Sequence, residues 1–326
     1  MIIPLPSNRP AGRFYRGGAG IAAFRGESWI ASHEPEDWIA STTSVFGQEP
    51  IGQTRLPDGS SLASALAADP EHWLGREHAE RWGPDQRLLV KLLDAGQRLP
   101  VHAHPHDDFA ARHLGAAHGK AEAWYILRGG AVHLGLTRDV GAEELTKLVE
   151  SQDTTTLLGL LHRVTVAPGD VVYVPPGELH AIGEGVLLLE LQQPEDLSIL
   201  LEWDGFALDG ARSGHLGLGF ATALEAVNTR SRPRESVDRL VRTAPPGGSV
   251  LPEEAEQYFR LERHRLGDGE RRTLAPGWRI LVVSGGEVEV DGMECAAGAV
   301  LLVPAAAGEI ALVGSGEVLV ARPPAP

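Results

Sequence analysis

The chain has 326 residues, which suits two modest domains, and its hydrophobic fraction of 43% is ample for buried cores. Its 39 glycines and 23 prolines punctuate short apolar runs, which is typical of a β-rich protein with many turns. A formal net charge of −15 argues against binding to nucleic acid or to anionic membrane surfaces.

Cys295 is the only cysteine, so an internal disulfide is excluded and a reducing compartment is expected. Its place in the strand-like run EVEVDGMECAAGAVLLV indicates a packed small residue rather than a nucleophile. The N-terminal stretch lacks the sustained apolar core of an export signal, and no run approaches the length of a membrane span. We therefore expect a cytoplasmic protein.

The first half of the chain alternates between short strands and one helical stretch. The first 60 or so residues have the short polar–apolar alternations of strands and loops. Leu62, Ala65 and Leu66 then fall at helical spacing, which predicts a helical segment over about 60–82. The run QRLLVKLLDAG that follows is apolar almost throughout and predicts a buried strand.

Strands resume after that run and are interrupted once. EAWYILRGGAVHLGL predicts two strands that meet at Gly129-Gly130, and a helical insert follows over about 140–162. HRVTVAPGDVVYVPPG and VLLLELQQ then predict further strands of the same β-structure.

The C-terminal third begins with helical patterns and a Pro/Gly-rich linker over 216–250. Residues 251–326 show a second series of strand-like runs, in which Gly298 and Pro304 repeat the spacing of Gly169 and Pro175. This weak repeat has no counterpart of the histidines described next, so we expect it to bind no metal.

Two short motifs predict a metal site. In the first, Gly96 is followed after five residues by His102-Ala103-His104, whose side chains share one face of a strand. An isolated His-x-His is more often a pair of ordinary histidines, but here a carboxylate and a second motif, GDVVYVPPGELH, are spaced to join it. Neutral imidazoles and a carboxylate on strands lining a small barrel can hold one divalent ion. The predicted ligands are His102, His104, Glu122 and His180.

The spacing of these residues resembles the two motifs of the cupin superfamily. The gap of 17 residues between His104 and Glu122, which we interpret as a loop, is longer than in that pattern, and Glu184 stands where a terminal Asn is usual. The resemblance implies a mainly β protein: a cupin (jelly-roll) barrel with helical inserts over 1–215, and a second, degenerate cupin-like barrel over 251–326.

The stretch from about 45 to 205 resembles type I phosphomannose isomerases, which are metal-dependent aldose–ketose isomerases interconverting mannose 6-phosphate and fructose 6-phosphate. The likeness lies in LLVKLLDAGQRLPVHAHPHDDFA, GKAEAWYIL and YVPPGELHAIGEGVLLLELQQPEDLS, with a weaker match in GSSLASAL and EHWLG. It implies the same four metal ligands, with His102 in place of the family's glutamine. It further implies active-site roles for Lys120, Glu190 and Asp196.

Two departures from that family bear on the metal and the substrate. Three histidines and a glutamate suit zinc, our first choice, and equally manganese, iron, cobalt or nickel. Leu200 stands where the family has an arginine, and EWDGFALDG lacks its phosphate-binding lysine. Since leucine cannot pair with a phosphate, a phosphorylated substrate needs cations from elsewhere, with Arg112 and Arg128 as candidates.

Aldose–ketose isomerisation moves a proton between C1 and C2 through an enediol, so it needs a base and a stabiliser of oxygen charge. Glu190 is the candidate base, because burial raises a carboxyl pKa; alternatively it orients a ligand histidine or pairs with Lys120. Lys120 could stabilise the enediolate or simply form an ion pair. Asp196 could hold a sugar hydroxyl or cap a turn.

Three classes of function remain open. The leading hypothesis is a metal-dependent isomerase of a sugar or sugar phosphate, working as a monomer or homodimer. The second is a cupin oxygenase using iron, which metal content and oxygen consumption would reveal. The third is a non-catalytic, metal-containing sugar-binding or regulatory cupin, which Leu200 favours. No DNA-binding module is visible.

Overall fold

The computed structural model describes residues 1–29 and 31–326, and short helices join three antiparallel sheets. The described helices are α1 (Gly20–Arg25), α2 (Leu62–Ala68), α3 (Pro70–Leu74), α4 (Arg76–Trp82), α5 (Asp107–Leu114), α6 (Ala142–Ser151), α7 (Thr154–Gly159), α8 (Gly210–Ser213), α9 (Phe220–Ala223) and α10 (Arg234–Leu240), with single 3₁₀ turns at Leu224–Ala226, Glu253–Ala255 and Ala305–Ala307.

Most strands form where the sequence has alternating polar and apolar residues or a continuous apolar run. In chain order they are β1 (Ile3–Pro4), β2 (Glu36–Ile39), β3 (Leu89–Asp94), β4 (His102–Ala103), β5 (Glu122–Arg128), β6 (Gly130–Leu136), β7 (Leu161–Val166), β8 (Asp170–Val174), β9 (His180–Ile182), β10 (Leu187–Gln192), β11 (Ile199–Leu200), β12 (Val241–Thr243), β13 (Gly248–Ser249), β14 (Arg260–Leu274), β15 (Arg279–Val290), β16 (Met293–Ala296), β17 (Val300–Val303) and β18 (Ile310–Arg322).

Two of the sheets form a barrel. The central sheet has the order β12-β8-β5-β10-β3-β2, and the outer sheet has the order β11-β4-β9-β6-β7. Apolar side chains from both sheets meet in one buried cluster, which includes Trp124, Ile126 and Leu188 of the central sheet and Leu134 and Ile182 of the outer sheet. The barrel that the sequence predicts around the histidine motifs is therefore present.

The central sheet is buried on both faces, which explains its nearly continuous apolar runs. Leu93 of β3 and Leu188 of β10 point into the barrel. Leu92 and Leu189, their neighbours in sequence, point the other way and join a second cluster with residues of the C-terminal sheet such as Ile280.

The C-terminal sheet rolls around a core of its own. Its order is β1-β17-β15-β18-β14-β13, with β16 paired to β15. Its long strands β14, β15 and β18 bend where their pairing register shifts. One shift lies between Leu266 and Glu270 of β14, and another between Val283 and Gly285 of β15. The side chains on its concave face, such as Leu281 and Val318, form a separate cluster. This is the second barrel-like unit that the sequence predicts.

Chain segments cross between these two units. β1 pairs with β17 of the C-terminal sheet, and β12 extends the central sheet beside β8. The domain boundaries drawn from the sequence stay a prediction.

The helical inserts form where expected, with one difference. The segment over 60–82 contains α2 to α4, with Ser61 capping α2 and Asp69 capping α3 ahead of Pro70. The segment over 140–162 contains α6 and α7. The 17-residue gap in the first motif, interpreted from the sequence as a loop, contains α5. No helix among the described residues is long and apolar enough to cross a membrane.

Candidate metal centre and active-site cavity

Strand pairing brings the three motif histidines together. His102 on β4 lies directly opposite His180 on β9 of the outer sheet. His104 lies two residues beyond His102, on the same side of the chain, while Ala103 between them points to the opposite face and its apolar cluster. One ring nitrogen from each of the three buried imidazoles lies within 4.8 Å of the other two.

The imidazoles fit a divalent metal ion. Each Nδ1 lies 2.7–2.9 Å from a backbone carbonyl, those of Pro100, Leu197 and Glu178. An Nδ1 that donates to a carbonyl leaves Nε2 with its lone pair, which is the arrangement found in metal-ligating histidines. Among the described residues, the buried Nε2 of His180 has no hydrogen-bond partner.

The electrostatic surroundings keep these rings neutral, as ligation requires. Burial, followed by the neighbouring imidazole of His104, lowers the pKa of His180 to about 3. Burial also lowers the pKa of His104, and it places that of His102 well below the ordinary value. The three histidines therefore resist protonation, and their neutral rings are free to bind a metal cation.

Glu122 approaches the same point from the central sheet. Its Oε1 lies 2.9 Å from Nε2 of His104, and its Oε2 lies 3.6 Å from Nε2 of His180. Although burial opposes ionisation, His104 and Lys120 hold the pKa of Glu122 well below its ordinary value. The Nζ of Lys120 lies 2.7 Å from Oε1 of Glu122 and 3.3 Å from Nε2 of His104. The four predicted ligands and Lys120 thus share one small volume.

A row of side chains crosses the central sheet beside this cluster. Pairing register places Trp38, Lys91, Glu190 and Trp124 opposite one another on β2, β3, β10 and β5. Trp124 Nε1 lies 3.2 Å from Oε1 of Glu190 and 3.3 Å from Oε2 of Glu122, so the indole N–H faces both carboxylates. Glu190 lines one cavity with His102 and Glu122 of the metal candidates.

Glu190 has the environment of a carboxyl that exchanges protons near neutral pH. Burial, followed by the charge of Glu122, raises its pKa to about 8, while Lys91 at 3.7 Å opposes the shift. All three imidazole Nδ1 atoms lie at backbone carbonyls, and Lys120 pairs with Glu122. The role of Glu190 as the base stays a prediction.

Asp196 lies at the rim of the cavity and is held by an arginine that the sequence analysis missed. Arg13 donates from Nη1 and Nη2 to the two Asp196 oxygens at 3.1 and 3.2 Å. Its Nε lies 3.4 Å from Glu36, which also accepts a hydrogen bond from the Tyr15 hydroxyl. Despite burial, Arg13 and Lys91 lower the pKa of Asp196.

Four further ionisable residues line this cavity and were not predicted: Arg13, Tyr15, Glu36 and Lys91. Lys91 had a signal in the sequence, because it is a single charge inside an apolar strand. The other three lie in the irregular N-terminal region, where no periodicity marks them.

Leu200 lies next to the metal candidates. Residue 200 pairs with His102 across β11 and β4, and its side chain lines the cavity. The two arginines suggested as substitutes lie elsewhere. Arg112 is exposed on α5, and Arg128 at the far end of β5 binds Asp94 and the carbonyl of Gly185.

These elements define a class of protein: a double-barrelled cupin fold with a buried cavity in which His102, His104 and His180 could hold a metal ion. No family model matches the chain. Mannose-6-phosphate isomerase ManA of Bacillus subtilis is 32% identical over 274 residues, covering 79% of this chain and 81% of the relative. The chain therefore belongs to the mannose-6-phosphate isomerase family.

Solved structures agree on the fold. The mannose 6-phosphate isomerase of Bacillus subtilis superposes with a TM-score of 0.70 at 22% identity, covering 98% of this chain and 99% of the other. A point mutant of phosphomannose isomerase from Salmonella typhimurium superposes with a TM-score of 0.75 at 15% identity, covering 99% and 100%. At these identities the likeness concerns the fold, and it confirms the predicted cupin architecture.

Proposed function

We propose that the protein is a metal-dependent aldose–ketose isomerase acting on mannose 6-phosphate and fructose 6-phosphate or a closely similar pair of sugar phosphates. The observation that carries the proposal is the convergence of three neutral imidazoles and Glu122 beside Glu190, a buried carboxyl whose pKa is raised to about 8. Membership of the isomerase family supports the reaction class.

In this proposal His102, His104, His180 and Glu122 hold one divalent ion, with zinc as the first choice among the metals that accept imidazole and carboxylate. When bound, the ion supplies Lewis-acid stabilisation of the negative charge that develops on the substrate's C1 and C2 oxygens. The single cysteine agrees with a cytoplasmic location.

Glu190 is the proposed base. In the aldose-to-ketose direction it removes the C2 proton and returns it to C1, while the hydroxyl proton moves from O2 to O1. Lys91 and the Trp124 indole hold the Glu190 carboxyl in the cavity wall. Lys120, already within reach of Glu122 and His104, offers a further N–H to the enediolate oxygens.

The first test is exchange of the transferred proton with deuterated solvent, at C2 of the aldoses and at C1 of the ketoses, followed by NMR with protein loaded separately with zinc, manganese or cobalt. The panel pairs mannose and fructose with their 6-phosphates. We expect exchange with the phosphorylated pair. Exchange with none of the sugars by a fully metal-loaded protein would contradict the proposal.

The ligand set has its own test. His104→Ala and His180→Ala should each lose metal and turnover, because each removes one of few ligands. His72→Ala, which alters an exposed histidine on α3, should keep both. A stoichiometric metal content in the His104→Ala/His180→Ala double variant would refute the assignment.

Leu200 favours a second candidate, a metal-containing sugar-binding protein without turnover. Opposite His102, leucine offers no donor to a developing oxyanion. Tight sugar binding with a full metal site and no C2 exchange would establish this function instead.

A further inference from the structure

The metal cavity adjoins a second, larger cavity that opens beside it. The inner cavity has a volume of about 30 Å³, which accommodates about two water molecules. The outer cavity has a volume of about 260 Å³. The side chains that line both are Arg13, Phe14, Asp196, Ser198 and Leu200.

The inner cavity alone is too small for a sugar phosphate, since ligand sites usually have about 300–1,000 Å³. The two cavities together come close to the lower end of that range. A substrate whose C1 and C2 lie at the histidines must therefore extend past the shared wall. Its C6 substituent, four carbons from C2, would lie on the outer side.

Charge at the shared wall is concentrated in one ion pair. Among the described residues lining the outer cavity, Arg13 is the only cation and Asp196 the only carboxylate. The inner cations face other partners: Lys120 lies 2.7 Å from Glu122, and Lys91 lies 3.7 Å from Glu190.

Arg13 has donors to spare. A guanidinium has five N–H groups, and Arg13 uses two of them on Asp196. Its Nε is buried 3.4 Å from Oε2 of Glu36 and has no hydrogen-bond partner among the described residues. The backbone N–H of Phe46 donates to Asp196 at 3.1 Å, so the carboxylate that anchors Arg13 is itself fixed. The remaining N–H groups of this rigid, planar guanidinium suit the oxygens of a phosphate.

We propose that Arg13 determines specificity for phosphorylated sugars by binding the substrate phosphate at the boundary of the two cavities. It places a cation beside Leu200, which cannot contribute one. The inference rests on the proposed isomerase function and names the substrate class of that site.

The test compares Arg13→Met with Arg16→Met, a matched change of an exposed arginine that contacts Gln97 instead. We expect Arg13→Met to raise KM for fructose 6-phosphate roughly 10- to 100-fold, since hydrogen bonds to charged groups are lost. KM for free fructose and kcat should change little. Arg13→Lys should fall between, because lysine keeps the charge without the planar guanidinium. Arg16→Met should match the wild type.

Two further variants distinguish the loss of phosphate binding from a loss of folding. Arg13→Met leaves the carboxylate of Asp196 buried without its partner, so Arg13→Met/Asp196→Asn removes the pair together. Leu200→Arg in the Arg13→Met background restores a cation that lines both cavities, and it should regain selectivity for the phosphate. Metal content and the thermal midpoint confirm that each variant is folded.

Calorimetric binding of fructose 6-phosphate and fructose to metal-loaded protein gives a readout that does not need turnover. Weaker binding of the phosphate ester alone by Arg13→Met supports the inference. Equal effects on both sugars, or none, would overturn it even where the wild type isomerises its substrate. Isomerisation absent in the wild type, with phosphate-selective binding retained through Arg13, would refute only the isomerase function.

Discussion

Lys91 is a buried charge that lies between two buried carboxylates. It is 1% exposed, lies over the Trp38 ring with Nζ 4.7 Å from the centroid, and has Glu36 and Glu190 as neighbours at 3.9 and 3.7 Å. A buried lysine without such partners would be strongly destabilising. Between two carboxylates it stabilises their ionised forms, and it opposes the desolvation that raises the pKa of Glu190.

Replacing Glu190 with Gln tests the base directly. The change keeps the shape of the side chain, so we expect metal content to be retained while kcat falls about tenfold or more. A base must be ionised, so kcat/KM should rise with pH through the pKa of Glu190. Because burial raises that pKa, the rising, acidic limb of the kcat/KM profile should lie at a pH above 4.5, the ordinary pKa of a glutamate.

In Glu190→Gln this limb should disappear from the pH profile of any residual activity. Glu184→Gln, a change at an exposed carboxylate before β10, serves as the control and should behave as the wild type. Unchanged turnover in Glu190→Gln would remove it as the base.

At the level of single residues, the sequence could predict what strand periodicity and motif spacing determine. His102 and His104 had to share a face, and β9 carried His180 to the position opposite. Arg13 and Glu36 could not be found this way, because only tertiary contacts bring the irregular N-terminal region to the cavity. The roles of Glu190, Lys120 and Asp196 stay predictions.

Among the elements, the turn after β3 holds the N-terminal segment that carries Arg13. Gly96 closes this turn, and a Cβ there would lie 2.2 Å from the carbonyl carbon of Gly17 and 2.4 Å from its oxygen. The glycine of the first motif is thus required by a close approach of two backbones. Its neighbour Gln97 accepts a bond from the N–H of Arg16 in the same segment.

Gly96→Ala should therefore lower the free energy of unfolding by about 1–3 kcal/mol, as overpacking does. Gly159→Ala at the end of α7 is the matched control, because a Cβ there meets no atom of the described residues within 4 Å and alanine favours helix. Urea unfolding measures both. Equal urea midpoints for Gly96→Ala and the wild type would mean that the N-terminal segment moves away from the added Cβ without loss of stability.

The helix missed in the first motif had recognisable signals. Asp107 and Asp108 lie in the first turn of α5, Arg112 and His113 lie in its last turn, and Gly115 follows at φ +65°. The motif spacing alone indicates only that the gap is longer than usual, and it carries no information on the secondary structure of the extra residues. Strands were easier to predict because burial on one or both faces leaves a pattern of period two or a continuous apolar run.

For the whole molecule, the central sheet joins the two barrels. Its outward face and the convex face of the C-terminal sheet share one buried apolar cluster, to which Leu92, Leu189, Ile280 and Leu319 belong. The sequence predicted a second barrel from the spacing of Gly298 and Pro304. The sequence could not predict that the central sheet packs on the C-terminal sheet, because an apolar outward face does not indicate which surface covers it.

A polar cluster lies at the same junction and gives it a measurable pH dependence. Glu317 on β18 accepts hydrogen bonds from the Tyr125 hydroxyl of the central sheet at 2.9 Å and from Ser284 at 2.8 Å, and Arg263 and Arg265 donate at 2.8 Å. Although burial opposes ionisation, these bonds lower the pKa of Glu317 to about 2.

Glu317→Gln should thus lower the free energy of unfolding at pH 7 by about 1–3 kcal/mol, the range for hydrogen bonds to a charged group. The folded pKa lies below the unfolded value of 4.5, so the stabilisation is complete above pH 4.5 and is lost as pH falls towards 2. The gap between wild-type and variant urea midpoints should narrow over that interval. Glu309→Gln, at an exposed carboxylate just before β18, should show no gap at any pH. A gap for Glu317→Gln that persists undiminished at pH 2 would mean that its charge does not hold the barrels together.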